Sequence, residues 1–347
     1  MKNVRFDNSS NVPVFRFINS DGTEDRIEYP LSVNNLWDNL DPKSFSVELL
    51  INPFLNRARN VYNIYREGGE HKRVGMVFPV SALDSEGLFE QTGASNYAFI
   101  AFRVLLERLQ EVKDTDGDLS DNFEENVCVC VFNLYSLKLD NPLHLCINSL
   151  RKYGYSFFED NNTIQAVEGY KSNLYVDDNV RDLALRFEEP KLYTNPVIDM
   201  MLRALPHAHN VIHRFVLLYQ IIETMMEAVT LKKIDNEIDK LQKNQIPHND
   251  FLDALKQIGL EKERIKEIFD ICQLSSDDFS CFKSPCKKLY QLTNYNPDKE
   301  SDNSMFFYSF RNQMTHTFRN LHSYPDEVAE TVQGFEKVIM TILERYV

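Results

Sequence analysis

The spacing of apolar residues in the C-terminal half restricts the fold of this chain more than any other feature. In "RFVLLYQIIETMMEAV" the apolar side chains recur every three or four positions, at Phe215, Leu218, Tyr219, Ile222, Met226 and Val229. This interval places them on one face of an α-helix. Comparable patterns continue in "DFLDALKQIGLEKERIKEIFDIC", "SPCKKLYQLT", "MFFYSFRNQMTHTFRNLH" and "PDEVAETVQGFEKVIMTILERYV". They predict an all-α helical bundle over residues 195–347, with Pro325 in the first turn of its last helix.

The first 190 residues show a different, mixed pattern. Alternating segments on either side of Asp21-Gly22 in "PVFRFINSDGTEDRIEYPL" predict a β-hairpin. "RVGMVFPVSAL" and "NVCVCVFNLYSLKL" have the composition of strands, and "NYAFIAFRVLLERLQEV" has helical spacing. We therefore expect an α+β domain over residues 1–190. Pro190 and Pro196 enclose a segment that is typical of a linker.

Composition predicts a soluble cytoplasmic protein with no membrane association. Apolar residues make up 43% of the chain, and no run of 18 apolar residues is long enough to cross a bilayer. The N-terminal residues lack the apolar core of a signal peptide. The six cysteines follow no disulfide-framework spacing, which favours reduced thiols.

Charge and missing motifs disfavour several classes of function. The formal net charge is -14, of which the first 194 residues carry -10 and the remainder -4. Sequence-independent binding to duplex DNA, which depends on a basic surface, is therefore disfavoured. The C-terminal half is close to neutral and leaves room for a local basic patch. Because GxxxxGK[ST], GxGxxG and GxSxG do not occur, the sequence also disfavours an NTPase, a dinucleotide enzyme and a typical serine hydrolase.

The acidic segment "DTDGDLSDNFEE" resembles a calcium loop only in part. Asp114, Asp116, Asp118 and Glu125 occupy positions 1, 3, 5 and 12 of an EF-hand loop. Position 6 requires Gly for a sharp turn, and Leu119 stands there. A strand follows where the EF-hand has a helix. We therefore interpret the segment as a solvated loop.

The residues that could bind zinc also do not form a complete set of ligands. The candidates are His207, His209, His213, Cys281 and Cys286. His209 and His213 are four residues apart, as zinc ligands on one helix face are, but no nearby acidic residue completes a site. The two cysteines lack a second pair. We expect ordinary histidines and thiols here, and hence no metal and no cofactor.

The segment "YSFRNQMTHTFRNL" places three polar residues on a helix that is otherwise apolar on one side. Its predicted buried stripe is Phe307, Phe310, Met314, Phe318 and Leu321. Asn312 and His316 are four residues apart and share a face, with Arg311 about 100° away. Arg311 and His316 are separated by about 140° and about 7.5 Å along a straight helix. The two side chains converge only if Arg311 reaches round, the helix bends, or a second subunit contributes.

These three residue types suit metal-free chemistry on a phosphodiester. A guanidinium binds phosphate oxygens in bidentate fashion and stabilises the charge of a phosphorane. An imidazole transfers protons near neutral pH, and a neighbouring amide orients it or a phosphate oxygen. Together Arg311, Asn312 and His316 would catalyse attack of an RNA 2′-hydroxyl on its own phosphate. The alternative is the solvated face of an amphipathic helix, because an Arg-x4-His spacing often arises by chance.

"RNQMTH" resembles the Rx4-6H motif of the HEPN superfamily. In that family the motif lies on a late helix of a helical bundle, beside an earlier long helix that often carries a phrase like "FVLLYQIIE", here residues 215–223. The resemblance covers residues 195–347 and does not extend to the first 190. It implies a metal-independent ribonuclease of the toxin–antitoxin, CRISPR or anti-phage type. It also implies a homodimer in which two copies of the motif face each other across a cleft.

By position, the resemblance implies that Arg311 stabilises the phosphate, His316 transfers the proton and Asn312 is their polar partner. One subgroup has a Tyr two residues after the His, where a partner antitoxin attaches a nucleotide. Phe318 stands at that position, which argues against such control here. Arg319 is a candidate contact to the RNA backbone or an ordinary surface charge.

The sequence thus predicts a cytoplasmic, metal-independent endoribonuclease with an HEPN-like bundle. Unpaired RNA, such as a tRNA loop, is the expected substrate, because exposed bases can be splayed and stacked. An antitoxin or regulatory protein is a further expected partner, and residues 1–190 would sense, regulate or position substrate. The alternatives are a non-catalytic module that binds a nucleotide, RNA or a partner protein, and a dimerisation domain for an N-terminal effector.

Overall fold

The structure is a computed structural model that describes residues 5–7, 14–28, 40–54, 60–85, 88–91, 94–112, 118–158, 167–171, 182–188, 196–297 and 302–346. The chain divides into two compact units. The first consists of Met1–Thr163 and Tyr175–Glu188, and the second of Ile164–Leu174 and Glu189–Val347. The segment Ile164–Leu174 thus belongs to the second unit, whereas the sequence-based division assigned it to the first domain.

A small antiparallel sheet in the first unit contains the predicted hairpin. Its described strands are β1 (Arg5–Asp7), β2 (Val14–Ile18) and β3 (Glu24–Glu28), paired in the order β1-β2-β3. The turn between β2 and β3 has Gly22 at φ 87°, a conformation that glycine adopts without steric cost. The Asp21 carboxylate accepts a hydrogen bond from the Thr23 amide at 2.8 Å. The hairpin around Asp21-Gly22 is therefore confirmed.

The larger sheet of the first unit is mixed. Within the described residues its strands are β4 (Phe45–Ile51), β5 (Tyr62–Arg66), β6 (Arg73–Pro79), β7 (Val127–Asn133), β8 (Ser156–Phe157) and β9 (Asp182–Leu185). They pair in the order β8-β4-β7-β6-β5-β9. β5 and β9 run parallel, and the other neighbours are antiparallel. β6 and β7, both predicted as strands, lie in the interior of the sheet.

Helices pack against this sheet, so the first unit is α+β as predicted. The described helices are α1 (Leu88–Gln91), α2 (Ser95–Arg108), α3 (Leu134–Leu137) and α4 (Pro142–Arg151). Phe78 of β6 meets Phe89 of α1 with ring centroids 4.8 Å apart. The strand predicted over "NVCVCVFNLYSLKL" ends earlier than expected, because Asn133 accepts a hydrogen bond from the Ser136 amide and starts α3.

The second unit is helical, as the apolar periodicity predicts. Its described helices are α5 (Pro196–Ala204), α6 (Val211–Gln242), α7 (His248–Ile258), α8 (Glu261–Ile271), α9 (Ser280–Thr293), α10 (Asn303–His316) and α11 (Pro325–Arg345). Pro325 occupies the first turn of α11, as expected. The periodic segment 250–272 is split between α7 and α8 because Leu260 is extended (ψ 122°). Pro190 of the predicted linker lies outside the described residues, and Pro196 begins α5.

Aromatic rings from four helices form the core of the second unit. Phe215 of α6 meets Phe310 of α10 edge to face at 5.6 Å, and Phe307 stacks on Phe335 of α11 at 4.5 Å. Phe282 of α9 is fully buried among them. Such ring pairs add to the stabilisation that burial of their apolar area supplies. The core therefore fixes the orientation of α10.

A buried ion pair and a close helix contact complete this core. The Arg214 guanidinium donates to both carboxylate oxygens of Glu336 at 2.6 Å, and its side chain is only 11% exposed. Gly334 lets α11 approach α9, because a Cβ at this position would lie 2.4 Å from the carbonyl oxygen of Cys281. α6, α9 and α11 are thus held at fixed distances.

In the ranges that the structure describes, no helix combines the length and the apolarity needed to cross a membrane. All six cysteines fall within those ranges, and each is a free thiol. Burial raises the pKa of every one of them.

Candidate functional site

The apolar side of α10 sets the direction in which the predicted site residues project. The Asp302 carboxylate caps the helix by accepting from the amides of Ser304 and Met305 at 2.9 and 3.3 Å. The members of the predicted buried stripe that the structure describes are buried: Phe307, Phe310, Met314 and Leu321. The side chain of Phe318 is not among those that the structure describes. Gln313 is also buried, so the polar residues beside it face the edge of the core.

Arg311 is held by contacts to three other helical residues. Its Nε lies 3.3 Å from the Glu261 carboxylate, and both side chains are about four-fifths shielded from solvent (21% and 20% exposed). Its Cζ lies 5.4 Å above the centre of the Tyr219 ring, within cation–π range. Its Nη1 donates a 3.1 Å hydrogen bond to Asn312 Oδ1. We refer to Arg311, Asn312, Tyr219 and Glu261 as the arginine cluster.

The hydrogen bonds of the arginine cluster leave part of the guanidinium free. Among the described residues, Arg311 Nε has no hydrogen-bond partner, so its contact with Glu261 is electrostatic. Within the same ranges, no hydrogen bond from Arg311 Nη2 is found. A guanidinium has five N–H donors. The Nη2 donors therefore remain for a further anion, whereas Nε is buried beside Glu261 and Nη1 is bonded to Asn312.

Glu261 and Tyr219 are the members of the cluster whose role sequence reasoning missed. Tyr219 was assigned only to the apolar face of its helix, and Glu261 was not singled out. The Tyr219 hydroxyl donates a short hydrogen bond to Glu261 Oε1. Burial, reinforced by the neighbouring Glu261, raises the pKa of Tyr219 far above its ordinary value. The phenol therefore remains a donor that fixes the Glu261 carboxylate beside Arg311.

His316 is the last residue of α10 and is exposed. Among the described residues it makes no hydrogen bond and no ion pair. α10 is continuous from Asn303 to His316, so the five-residue separation turns Arg311 and His316 about 140° apart. Arg311 faces α6 and α8, whereas His316 faces solvent at the end of the helix. One copy of the chain brings Arg311 and Asn312 into contact but leaves His316 apart from them.

Arg319 lies in a short 3-10 turn, Phe318–Asn320, that follows α10. Its side chain is exposed, and its carbonyl oxygen accepts a short hydrogen bond from His322 Nδ1. No contact to Arg311 or His316 is found in the part of the chain described. Its cation is thus available at the surface of the second unit.

The structure describes the candidate metal ligands only in part. Asp114 and Asp116 of the acidic loop lie outside the described residues, and Asp118 precedes a 3-10 turn at Leu119–Asn122. Within the described ranges, no group of three or more His, Cys, Asp and Glu residues is arranged to hold a metal ion. Burial keeps the Cys286 thiol protonated by raising its pKa well above the ordinary value, which makes it a poor ligand.

A scan of the chain against protein-family models finds no match, and searches of curated proteins and of solved structures find none either. The function must therefore be inferred from the chemistry of these residues.

Proposed function

We propose that the protein is a cytoplasmic, metal-independent endoribonuclease of the HEPN kind that cleaves unpaired RNA, such as a tRNA loop. The observation that carries this proposal is the pairing of Arg311 with Asn312 on the last turns of α10, which ends at the exposed His316. The three residue types suit metal-free cleavage of RNA. The helical second unit supports an HEPN-like bundle as their setting.

In the proposed reaction His316 accepts the proton of an RNA 2′-hydroxyl as its oxygen attacks the adjacent phosphorus. The free donors of Arg311 bind the phosphate oxygens and stabilise the charge of the phosphorane. The bond to the 5′-oxygen then breaks, and a second imidazole protonates this leaving oxygen. The products are a 2′,3′-cyclic phosphate and a 5′-hydroxyl. DNA is not cleaved because it lacks the attacking hydroxyl.

A homodimer accounts for the geometry of these residues. Arg311 and His316 of one copy point about 140° apart, so they do not converge on a single phosphate without help. Two copies of the motif across a cleft would supply the Arg311 donors and both imidazoles. In this proposal the chain is a toxin or anti-phage effector, and an antitoxin or regulatory protein controls it. The first unit would sense, regulate or position substrate.

Cleavage of total RNA by the purified protein in EDTA tests the proposal. We expect the wild type to produce fragments with cyclic phosphate ends. His316→Ala should lower the rate by about 10²–10⁴, the usual contribution of a general acid–base group. His248→Ala, at an exposed position in α7, is the matched control and should leave the rate unchanged. If neither the wild type nor the control cuts RNA at any protein concentration, the ribonuclease proposal is wrong.

A non-catalytic role is the second candidate, and the ion pair of Arg311 favours it. Glu261 already neutralises much of the guanidinium charge, as expected of a structural residue. In that case the second unit would bind a nucleotide, RNA or a partner protein, or act as a dimerisation domain. Retained RNA binding without cleavage, unaffected by His316→Ala, would identify this role.

A further inference from the structure

A cavity of about 290 Å³ lies in the second unit, next to the segment that follows α10. Its walls come from the first turns of α6 and α11, from Leu321 and His322, and from Glu168 and Gly169. We refer to it as the α6–α11 cavity. Its volume is near the lower end of the roughly 300–1,000 Å³ range of small-molecule pockets. This size suits a single ring system rather than a large ligand.

The apolar part of the cavity can hold a flat ring. Val211 and Ile212 of α6, Leu321, and Val328 of α11 contribute this surface. Leu321 and Val328 are buried in the core of the unit, at 2% and 4% exposure. The inner walls are therefore fixed by core packing. A predominantly apolar cavity with a few polar groups is the usual form of a site for a heterocycle.

The titratable groups of the cavity are two carboxylates and two imidazoles, and its further polar side chain is Asn210, whose Oδ1 accepts from the Ile212 and His213 amides. Glu168 and Asp326 lie exposed at its rim, and His322 is held there by its bond to the Arg319 carbonyl. His209 Nδ1 is buried and has no hydrogen-bond partner among the described residues. Buried polar atoms are normally hydrogen-bonded, so a nitrogen without a protein partner on a residue that lines the cavity indicates a place for a ligand.

The wall that carries Glu168 is fastened to α11. The Lys171 amide donates to Gln333 Oε1 at 2.9 Å, and the Lys171 ammonium pairs with Glu330 at 2.7 Å. Gly169, at φ 78°, packs so closely that a Cβ there would lie 2.7 Å from Ala329 Cβ. This arrangement sets the Glu168 segment and Asp326 next to each other.

We propose that the α6–α11 cavity binds a guanine base of the substrate RNA. This inference rests on the proposed ribonuclease function. A carboxylate only accepts hydrogen bonds, and it can take two from adjacent donors. Guanine presents such donors at N1–H and N2–H₂. Adenine and cytosine place a ring acceptor beside their amino group, which a carboxylate repels. With the proton on Nδ1, His209 donates to guanine O6 or N7, which are acceptors.

The position of the cavity along the chain fits this assignment. Leu321 follows His316 by five residues, so their Cα atoms are at most about 18 Å apart. An unpaired strand whose phosphate lies at His316 can place a splayed base in the cavity. The cavity thus selects which phosphodiester is presented, and His316 and Arg311 act on it.

Calorimetric titration with 3′-GMP, 3′-AMP, 3′-CMP and 3′-UMP tests the assignment. These probes contain no scissile bond, and the measurement is made on the His316→Ala variant. We expect 3′-GMP to bind at least tenfold more tightly than the others, within the range of one bidentate base contact. Asp326→Asn and Glu168→Gln should each lower the affinity for 3′-GMP, and at least one of them should lower it tenfold. Asp253→Asn, which removes an exposed carboxylate of α7, is the control and should leave the affinity for 3′-GMP unchanged.

The outcomes separate this inference from the ribonuclease proposal. The guanine assignment is overturned if the four nucleotides bind equally tightly. It is also overturned if both rim variants keep the wild-type affinity for 3′-GMP. If the wild type cuts RNA at all bases alike and does not bind 3′-GMP, the cavity inference alone is wrong. If 3′-GMP binds through the rim carboxylates but no RNA is cut, the guanine site stands and the ribonuclease proposal is wrong. Unchanged thermal melting shows that the exposed rim variants remain folded.

Discussion

Replacing Glu261 with Gln and Arg311 with Ala, singly and together, measures how strongly the ion pair of the arginine cluster is coupled. At the observed 3.3 Å separation the attraction is about 5 kcal/mol for an effective dielectric constant of about 20. Desolvation of both charges and their one-fifth exposure oppose it, so we expect a net coupling of about 1–2 kcal/mol. Gln at position 261 retains an oxygen that accepts from Tyr219. The cycle therefore isolates the charge.

The assay is urea unfolding of the four proteins, followed by circular dichroism, with the coupling taken as the departure from additivity. Lys256 and Asp253, whose side chains are 75% and 73% exposed, provide the control pair. Their cycle should give a coupling within about 0.5 kcal/mol of zero. A coupling for Arg311 and Glu261 no larger than that of the control pair would refute the claim that Glu261 holds the guanidinium in place.

Three further predictions concern the stability of the two units. Burial raises the pKa of Asp84 from 3.8 to about 6, so the folded state binds more protons between these values and stability falls as pH rises through this range. Between pH 4 and pH 7 the unfolding free energy of the wild type should fall by up to about 2 kcal/mol relative to that of Asp84→Asn. Urea unfolding of the two proteins measures this, and equal pH profiles would contradict it. Gly334→Ala places a methyl group 2.4 Å from the Cys281 carbonyl oxygen and should lower the stability of the fold by about 2 kcal/mol or more. Thermal melting measures this, and an unchanged melting temperature would argue against the close contact. Arg214→Ala leaves the buried Glu336 carboxylate without its cation, although the Tyr170 hydroxyl still donates to it, and should cost about 3–5 kcal/mol in urea unfolding. Arg203→Ala, at a position 63% exposed, should change stability little.

Local periodicity was enough to predict that the second unit is helical and which face of α10 is buried, but not the break between α7 and α8. The stripe of α10 is an example, since Phe307, Phe310 and Met314 are buried as expected. A buried helix face needs only apolar residues at regular intervals, which one sequence displays. β4 was missed although Phe45, Val47, Leu49 and Ile51 alternate along it. β8 and β9 are too short to show a period, and β9 is defined by its pairing with β5.

The candidate site was predictable only where its residues are neighbours in sequence. Arg311 and Asn312 are adjacent, so their residue types alone suggested that they act together. Glu261 and Tyr219 are 42 residues apart, and only the packing of α6, α8 and α10 brings them to Arg311. The α6–α11 cavity is likewise formed by separate segments. No spacing rule within one segment detects such contacts, because they depend on how helices pack.

The six thiols, of which five are buried and Cys281 is half-buried, make this chain convenient for site-directed labelling. Maleimides react with the thiolate, and all six native cysteines are held in the protonated form. A cysteine introduced on the exposed surface of α7, at Lys256, would therefore take a spin label in preference to them. Pulsed dipolar spectroscopy on that single-label sample would test the proposed homodimer, because two labels couple only if two copies pair.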